Sequence, residues 1–157
     1  YLPNNARAGD FSKLPNGLAK ITLNALPAHE LAEDELMLMT IRSHDQFNTT
    51  IYGLDDRYRG ISGERRVIFM NEEDMADRGL INKEIVDLSS SYDGITRKAE
   101  NFRVIGYKIP RGNAAAYFPE TNVLVPYNHF ADKSRTPISK SLRIRIHRKF
   151  AHEAHLY

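Results

Sequence analysis

The 157-residue sequence has no cysteine and no tryptophan. Without cysteine it can form no disulfide, present no thiolate nucleophile, and hold neither zinc nor an iron–sulfur cluster through sulfur. The same absence agrees with a reducing compartment, and we expect a cytoplasmic address. No apolar stretch approaches the roughly 20 residues a membrane helix needs, so no membrane partner is expected. The glycine-rich phosphate motifs GxGxxG and GxxxxGK[ST] are missing, as is the nucleophile motif GxSxG. His152-Glu153-Ala154-His155 has one residue too few between Glu153 and the second histidine for a zinc-protease helix, and reads as part of a tail. No nucleophile–base pair and no ligand cluster with metal spacing stands out, so a free-standing hydrolase is disfavoured and no metal-ligating residue is assigned.

What is present describes one ordinary folded domain. Hydrophobic residues make up 41% and charged residues 27%, with 22 basic against 20 acidic side chains. A domain of this length buries roughly 70% of its unfolded surface and needs no covalent staple. The first residue is Tyr1 rather than Met, and we expect a piece of a larger protein. Residues 1–35, punctuated by Pro3, Gly9, Pro15, Gly17 and Pro27, read as a connector with one short strand at 19–23. A domain follows over 36–148, and 149–157 form a C-terminal tail.

Within 36–148 the hydrophobic pattern is that of short strands. The run LMLMTI at 36–41 reads as a strand buried on both faces, because six apolar-to-neutral residues in a row present no polar face. Further strands are expected at 67–70, 84–89, 102–109 and 142–146, with short extended pieces at 114–118 and 123–125. One helix is expected near 72–78, with Asn71 as N-cap, three acids in the first turn and Gly79 closing the end. The fold is therefore mainly β, a barrel or sandwich with a brief helix.

Two regions carry chemistry. Residues 42–50 (RSHDQFNTT) form the densest group of hydrogen-bonding side chains and leave the most apolar strand, which would hold the loop rigidly at one end. Arg42 offers a planar fork for phosphate or a heterocycle edge; Gln46 and Asn48 each offer donor and acceptor groups; Thr49 and Thr50 add hydroxyls. The alternative role for Arg42 is to pin its own loop through Asp45, Asp55 or Asp56. The second region is basic: from Lys133 to His152 there are seven Lys or Arg and no carboxylate. It suits a phosphate-bearing ligand, a solvated strand face, or a nucleic-acid-binding β-barrel module using residues 133–149. Aromatic residues do not interleave with this stretch as a stacking platform requires, which disfavours nucleic acid.

At these residues the sequence resembles the C-terminal cofactor-binding domain of molybdopterin oxidoreductases that carry bis(molybdopterin guanine dinucleotide), with formate-dehydrogenase-like alpha subunits of bacteria the nearest in look. The similar pieces occur in the family's order: Met39-Thr40-Ile41-Arg42 through Asn48-Thr49-Thr50; Phe69-Met70-Asn71-Glu72-Glu73-Asp74 with Gly79-Leu80; Glu84-Ile85-Val86-Asp87-Leu88-Ser89; Arg111-Gly112 to Glu120; Asn122-Val123-Leu124; and Ser134-x-x-Pro137-x-x-Lys140. The resemblance covers about residues 36 to 146. It implies a double-psi β-barrel of the aspartate-decarboxylase-like kind that caps an active site whose molybdenum is held by upstream domains of the same polypeptide. It implies cofactor contacts from Arg42, Gln46, Asn48, Thr49, Thr50, Phe118, Glu120, Asn122 and Lys140, and no catalytic residue in this segment. Gln46 and Asn48 stand where many members of the family have His, so proton-handling roles do not transfer. By itself the domain is expected to hold no cofactor and to be inactive.

Overall fold

The computed structural model describes residues 7–25 and 30–149. By the density of its contacts the chain divides into two units, Tyr1–Glu30 and Leu31–Tyr157. In the first, a 3-10 turn at Pro15–Gly17 is followed by backbone that pairs with no strand, so the strand expected at 19–23 does not form. The side chains of residues 7–25 are exposed, and a single short segment without strand partners leaves its backbone groups to water. The expected tail beyond residue 149, with His152 to His155, lies outside the described residues.

The second unit contains β1 (Glu35–Ile41), the two-residue strands β2 (Gln46–Phe47) and β3 (Thr50–Ile51), β4 (Val67–Met70), α1 (Glu72–Asp77), β5 (Ile85–Tyr92), β6 (Ile95–Gly106), β7 (Asn113–Tyr117) and β8 (Leu142–Arg148). Six of these strands close a barrel in the order β1-β7-β4-β6-β5-β8, while β2 and β3 form a separate small hairpin. The pairs β1–β7 and β4–β6 are parallel and the remaining neighbours antiparallel. This closed six-stranded order is the double-psi β-barrel that the resemblance implied. Closure leaves no unpaired barrel edge.

Local chemistry explains most of the elements. Asn71 caps α1 by accepting a hydrogen bond from the Glu73 amide at 2.9 Å, and its own amide group reaches the Ile109 carbonyl at 2.7 Å. The helix ends where Gly79 adopts a φ of 63° and the Leu80 amide bonds back to the Met75 carbonyl at 2.9 Å. Between β5 and β6 the turn is Asp93-Gly94, with φ of 52° and 72°, which is the two-residue hairpin geometry that aspartate and glycine favour. This hairpin makes β5 and β6 longer than the sequence pattern suggested: β6 begins at Ile95 rather than 102 and ends at Gly106 rather than 109. Residues 122–124 form a 3-10 turn instead of an extended piece.

The burial expected of β1 belongs instead to β4. Along β1, Leu36, Leu38 and Thr40 point into the barrel while Met39 remains 47% exposed, so the run alternates like a half-buried strand. All four residues of β4 are buried. Ile68 and Met70 face the barrel interior with Leu36, Leu38, Val86 and Phe102. Val67 and Phe69 face outward into a second cluster with Ile61, Ala115 and Tyr117. The excursion between β3 and β4 supplies that outer cover through Ile61. Three consecutive alanines in β7, all buried, keep the strand slim enough to lie between the two clusters. Unlike methionine at position 39, Phe69 finds aromatic neighbours outside the barrel: Tyr107 and Tyr117 meet it edge to face at centroid distances of 5.2 and 5.6 Å.

Candidate cofactor-binding face

The strand order brings the two polar segments to one end of the barrel. Because β1 and β7 are parallel, their C-terminal ends lie side by side, and the Phe118 amide donates to the Ile41 carbonyl at 2.8 Å. β8 runs antiparallel to β1, so the residues before it arrive at the same end; the Thr40 amide donates to the Ser139 carbonyl at 3.0 Å. Loop 42–50, turn 118–120 and Lys140 thereby meet, although about a hundred residues of sequence separate the outer two.

Arg42 is exposed and donates from Nη2 to Oδ1 of Asn48 at 3.2 Å. Asn48 takes a φ of 53°, a left-handed conformation that asparagine tolerates better than most residues. Lys140 donates from Nζ to the Thr40 carbonyl and lies 3.4 Å from the Thr40 hydroxyl. Partial burial of the ammonium, and after it the charge of Arg42, hold Lys140 below the usual lysine value. The two cations are therefore near enough to repel. Neither forms an ion pair among the described residues: Asp55 accepts from Ser62 and the Gly63 amide, Asp56 pairs with Arg59, and Asp45 lies beside His44. The alternative in which a neighbouring aspartate pins Arg42 is not what the loop adopts.

Gln46 and Glu120 are placed differently. Gln46 is buried, and its amide oxygen accepts from the Ser43 amide at 3.3 Å and from Arg65 at 2.8 Å. Its amide nitrogen donates to the carbonyls of Asn48 at 3.1 Å and Phe118 at 2.7 Å. Glu120 is engaged by Arg65 through both carboxylate oxygens, at 2.7 and 3.2 Å. Phe118 contributes its main-chain carbonyl to this junction rather than its ring. Thr49 on the turn between β2 and β3, Thr50 at the start of β3 and Asn122 in the 3-10 turn are all exposed.

Arg65 was invisible as a site residue in the sequence. It precedes β4 in a Glu-Arg-Arg run that looks like surface, yet it is 6% exposed. The one available signal was a pair of arginines immediately before the most apolar four-residue strand. A second buried polar group stands beside it: the Tyr117 hydroxyl donates to Asp56 at 2.8 Å, and Arg59 donates to the same carboxylate. Burial, then the hydrogen bond to Asp56, pushes the Tyr117 hydroxyl well above the usual tyrosine value. For Asp56, burial acts to raise the carboxyl, but the hydrogen bonds from Tyr117 and Arg59 outweigh it and leave the group below its usual value.

The model of the family described as "Molydopterin dinucleotide binding domain" matches residues 36–146. The chain belongs to that family. An oxidoreductase of Mycobacterium tuberculosis described as uncharacterized is 47% identical over 150 residues, covering 92% of this chain and 19% of its own length. Protein YdeP of Escherichia coli K12 is 34% identical over 152 residues, covering 90% of this chain and 20% of that protein. The chain therefore spans about a fifth of the length of the curated relatives it matches. Among solved structures, acetylene hydratase from Pelobacter acetylenicus aligns over 73% of this chain and 18% of its own, with a TM-score of 0.47 and 11% identity.

In this molybdopterin dinucleotide binding domain three of the cations on or beside the basic C-terminal strand are paired, while Arg143 is exposed and in no ion pair among the described residues. Arg145 pairs with Asp34 at 2.6 Å and Glu35 at 2.9 Å, Arg148 with Glu84 at 2.7 Å, and Lys149 with Asp87 at 3.3 Å. A nucleic-acid site on 133–149 would need those charges for phosphates. Sequence counting missed the pairing because every one of these carboxylates lies in another part of the chain. No helix among the described residues is long and apolar enough to cross a membrane. Two grooves, of about 680 and 600 Å³, lie at the opposite end of the barrel, where Ala32 and Glu33 approach Arg78; they share no residue with the face just described.

Proposed function

We propose that this domain forms one wall of the site for a molybdopterin guanine dinucleotide in a larger molybdenum oxidoreductase, formate-dehydrogenase-like in its reaction. The observation that carries the reading is the pair of cations, Arg42 and Lys140, brought together without a carboxylate beside exposed Asn48 and Thr49. Two like charges held close are costly unless an anion joins them, and a dinucleotide brings a pyrophosphate. Arg42 would grip phosphate oxygens with its planar fork, Lys140 would add a point charge, and Asn48, Thr49, Thr50 and Asn122 would supply neutral hydrogen bonds around them. Bound, the cofactor supplies redox chemistry at a molybdenum atom held by upstream domains of the same polypeptide. This chain's residues bind and orient the dinucleotide and cap the active site; none is assigned to the chemistry.

Residues 1–35 then serve as the connector to those domains, and the whole enzyme is cytoplasmic. One wall gives a fraction of the contact area of an embedded dinucleotide, so the 157-residue chain by itself binds the cofactor weakly and turns over no substrate. Formate oxidation or nitrate reduction by that chain alone overturns this part of the reading.

The decisive variant is Arg42→Ala in the full-length parent. Hydrogen bonds to charged groups contribute about 1.5–3 kcal/mol, so molybdenum and guanine nucleotide content should fall roughly ten- to a hundredfold, with Arg42→Lys in between. Normal cofactor content with a lowered melting temperature rejects the contact.

A further inference from the structure

The two halves of the candidate face are joined by one side chain that neither the resemblance nor the family match singles out. Ser43 and Gln46 belong to the loop leaving β1, and Phe118 and Glu120 to the turn leaving β7; Gln46 and Phe118 are 72 residues apart in sequence. The Arg65 guanidinium donates from Nη1 to the Ser43 hydroxyl at 2.5 Å and from Nη2 to Gln46 at 2.8 Å and the Phe118 carbonyl at 2.9 Å. Nε and Nη2 hold the two oxygens of Glu120. The ring of Tyr117 lies 5.0 Å from the guanidinium carbon, and the Val67 amide bonds to the Arg65 carbonyl at 2.8 Å, so both face and backbone are fixed by buried strands.

The donor and acceptor capacity of Gln46 is consumed by this arrangement. Gln46 has two acceptor positions and two N–H donors, and all four are taken by protein groups. Glu120 turns both oxygens to Arg65, one hydrogen bond to each, and its charge cancels that of the guanidinium. The net positive charge offered to a ligand comes from Arg42 and Lys140.

We infer that Arg65 is the positioning residue of this face, clasping loop 42–50 to turn 118–120, and that Gln46 and Glu120 act through Arg65 rather than on the ligand. This rests on the reading that the face binds a molybdopterin dinucleotide. The reason for a buried arginine here is geometric. Lysine could keep one ion pair, but its ammonium cannot reach Ser43, Gln46, Phe118 and Glu120 in one plane as a fork does. A ligand site built on two loops loses affinity when the loops must be ordered at binding, because that ordering then opposes association.

The test uses the full-length parent with Arg65→Met, Arg65→Lys, Arg42→Ala and, as a comparison, Tyr117→Phe. The last keeps the ring beneath Arg65 but removes the hydrogen bond to Asp56, so it weakens the same region without touching the clasp. Molybdenum and guanine nucleotide per protein are measured together with amide hydrogen exchange in residues 42–51 and 118–122. Arg65→Met is expected to lower cofactor content at least tenfold and to raise exchange in both segments together. Arg65→Lys should lie between it and wild type, and Tyr117→Phe should keep content within twofold. If Arg65→Met retains cofactor, or Tyr117→Phe loses as much, the positioning role is overturned. Where Arg65→Met does not accumulate, wild-type content and exchange in Arg65→Lys overturn it equally. Cofactor lost in Arg42→Ala but kept in both Arg65 variants removes this inference alone; a parent that carries no molybdopterin removes the reading beneath it as well.

Discussion

The two ends of the barrel differ in whether their exposed cations are matched by acids. At the end where β1 begins, Arg111 meets Glu73, Asp74 and Asp77, Arg145 meets Asp34 and Glu35, and Arg148 meets Glu84. Where β1 ends, Arg65 is matched by Glu120, but Arg42 and Lys140 share their corner with no acid. The chain has nearly as many acids as bases, 20 against 22, yet none of its carboxylates pairs with either cation at that corner. Leaving it unpaired costs stability, and such a cost is understandable where an anion arrives from outside. Charge pairing at the first end ties loops, α1 and β8 together; at the second, Arg65 and Arg59 are paired while the exposed Arg42 and Lys140 are not, and it is those two that the proposed function uses.

The sharpest way to break the comparison is to make the open end resemble the closed one. Arg42→Glu places a carboxylate beside Lys140 and should lower molybdenum and guanine nucleotide content of the full-length parent more than a hundredfold, about 3 kcal/mol or more, while the melting temperature holds or rises. A melting temperature that falls with cofactor content unchanged would put the function elsewhere.

A smaller effect is expected from pH at the buried group behind the open end. Asp56 titrates below its usual value in the folded chain, so its ionised form stabilises the fold above about pH 4, and that contribution is lost as pH falls through the lowered value. Asp56→Asn should therefore be less stable than wild type near neutrality and show a flatter loss of stability on acidification. Equal slopes for the two proteins in denaturant titrations between pH 5 and 2 would contradict the assignment. The smallest effect belongs to the closed end. Arg148 is half exposed, and exposed ion pairs contribute about 0–1 kcal/mol, so Arg148→Gln should shift denaturant stability by no more than about 0.5 kcal/mol and leave cofactor content untouched.

Particular residues show how far sequence could be read. The α1 boundaries were legible because Asn71, the three acids and Gly79 act through neighbours within one turn. Loop 42–50 was legible because hydrogen-bonding side chains crowd directly after an apolar strand. The two-sided burial assigned to β1 was not correct, since Met37 and Met39 are as apolar as Ile68 and Phe69 and nothing local says which strand another segment will cover. The hairpin at Asp93-Gly94 carried its signal in plain view, but the polar residues of 95–101 obscured the strand that follows. Arg65 and the paired arginines of β8 could not be separated from surface charge, because their partners lie between 19 and more than 100 residues away in sequence.

By itself the sequence determined what depends on near neighbours: a cysteine-free, strand-rich domain, the capped helix α1, the polar loop beginning at Arg42, and the ordered motifs that resemble a cofactor-binding family. Tertiary structure decided which strand lies between two cores, which cations are neutralised, and that Ser43, Gln46, Phe118 and Glu120 converge on Arg65. Those outcomes follow from barrel closure, which sets β1 beside β7 and β8 and so fixes distances between residues that no local pattern relates.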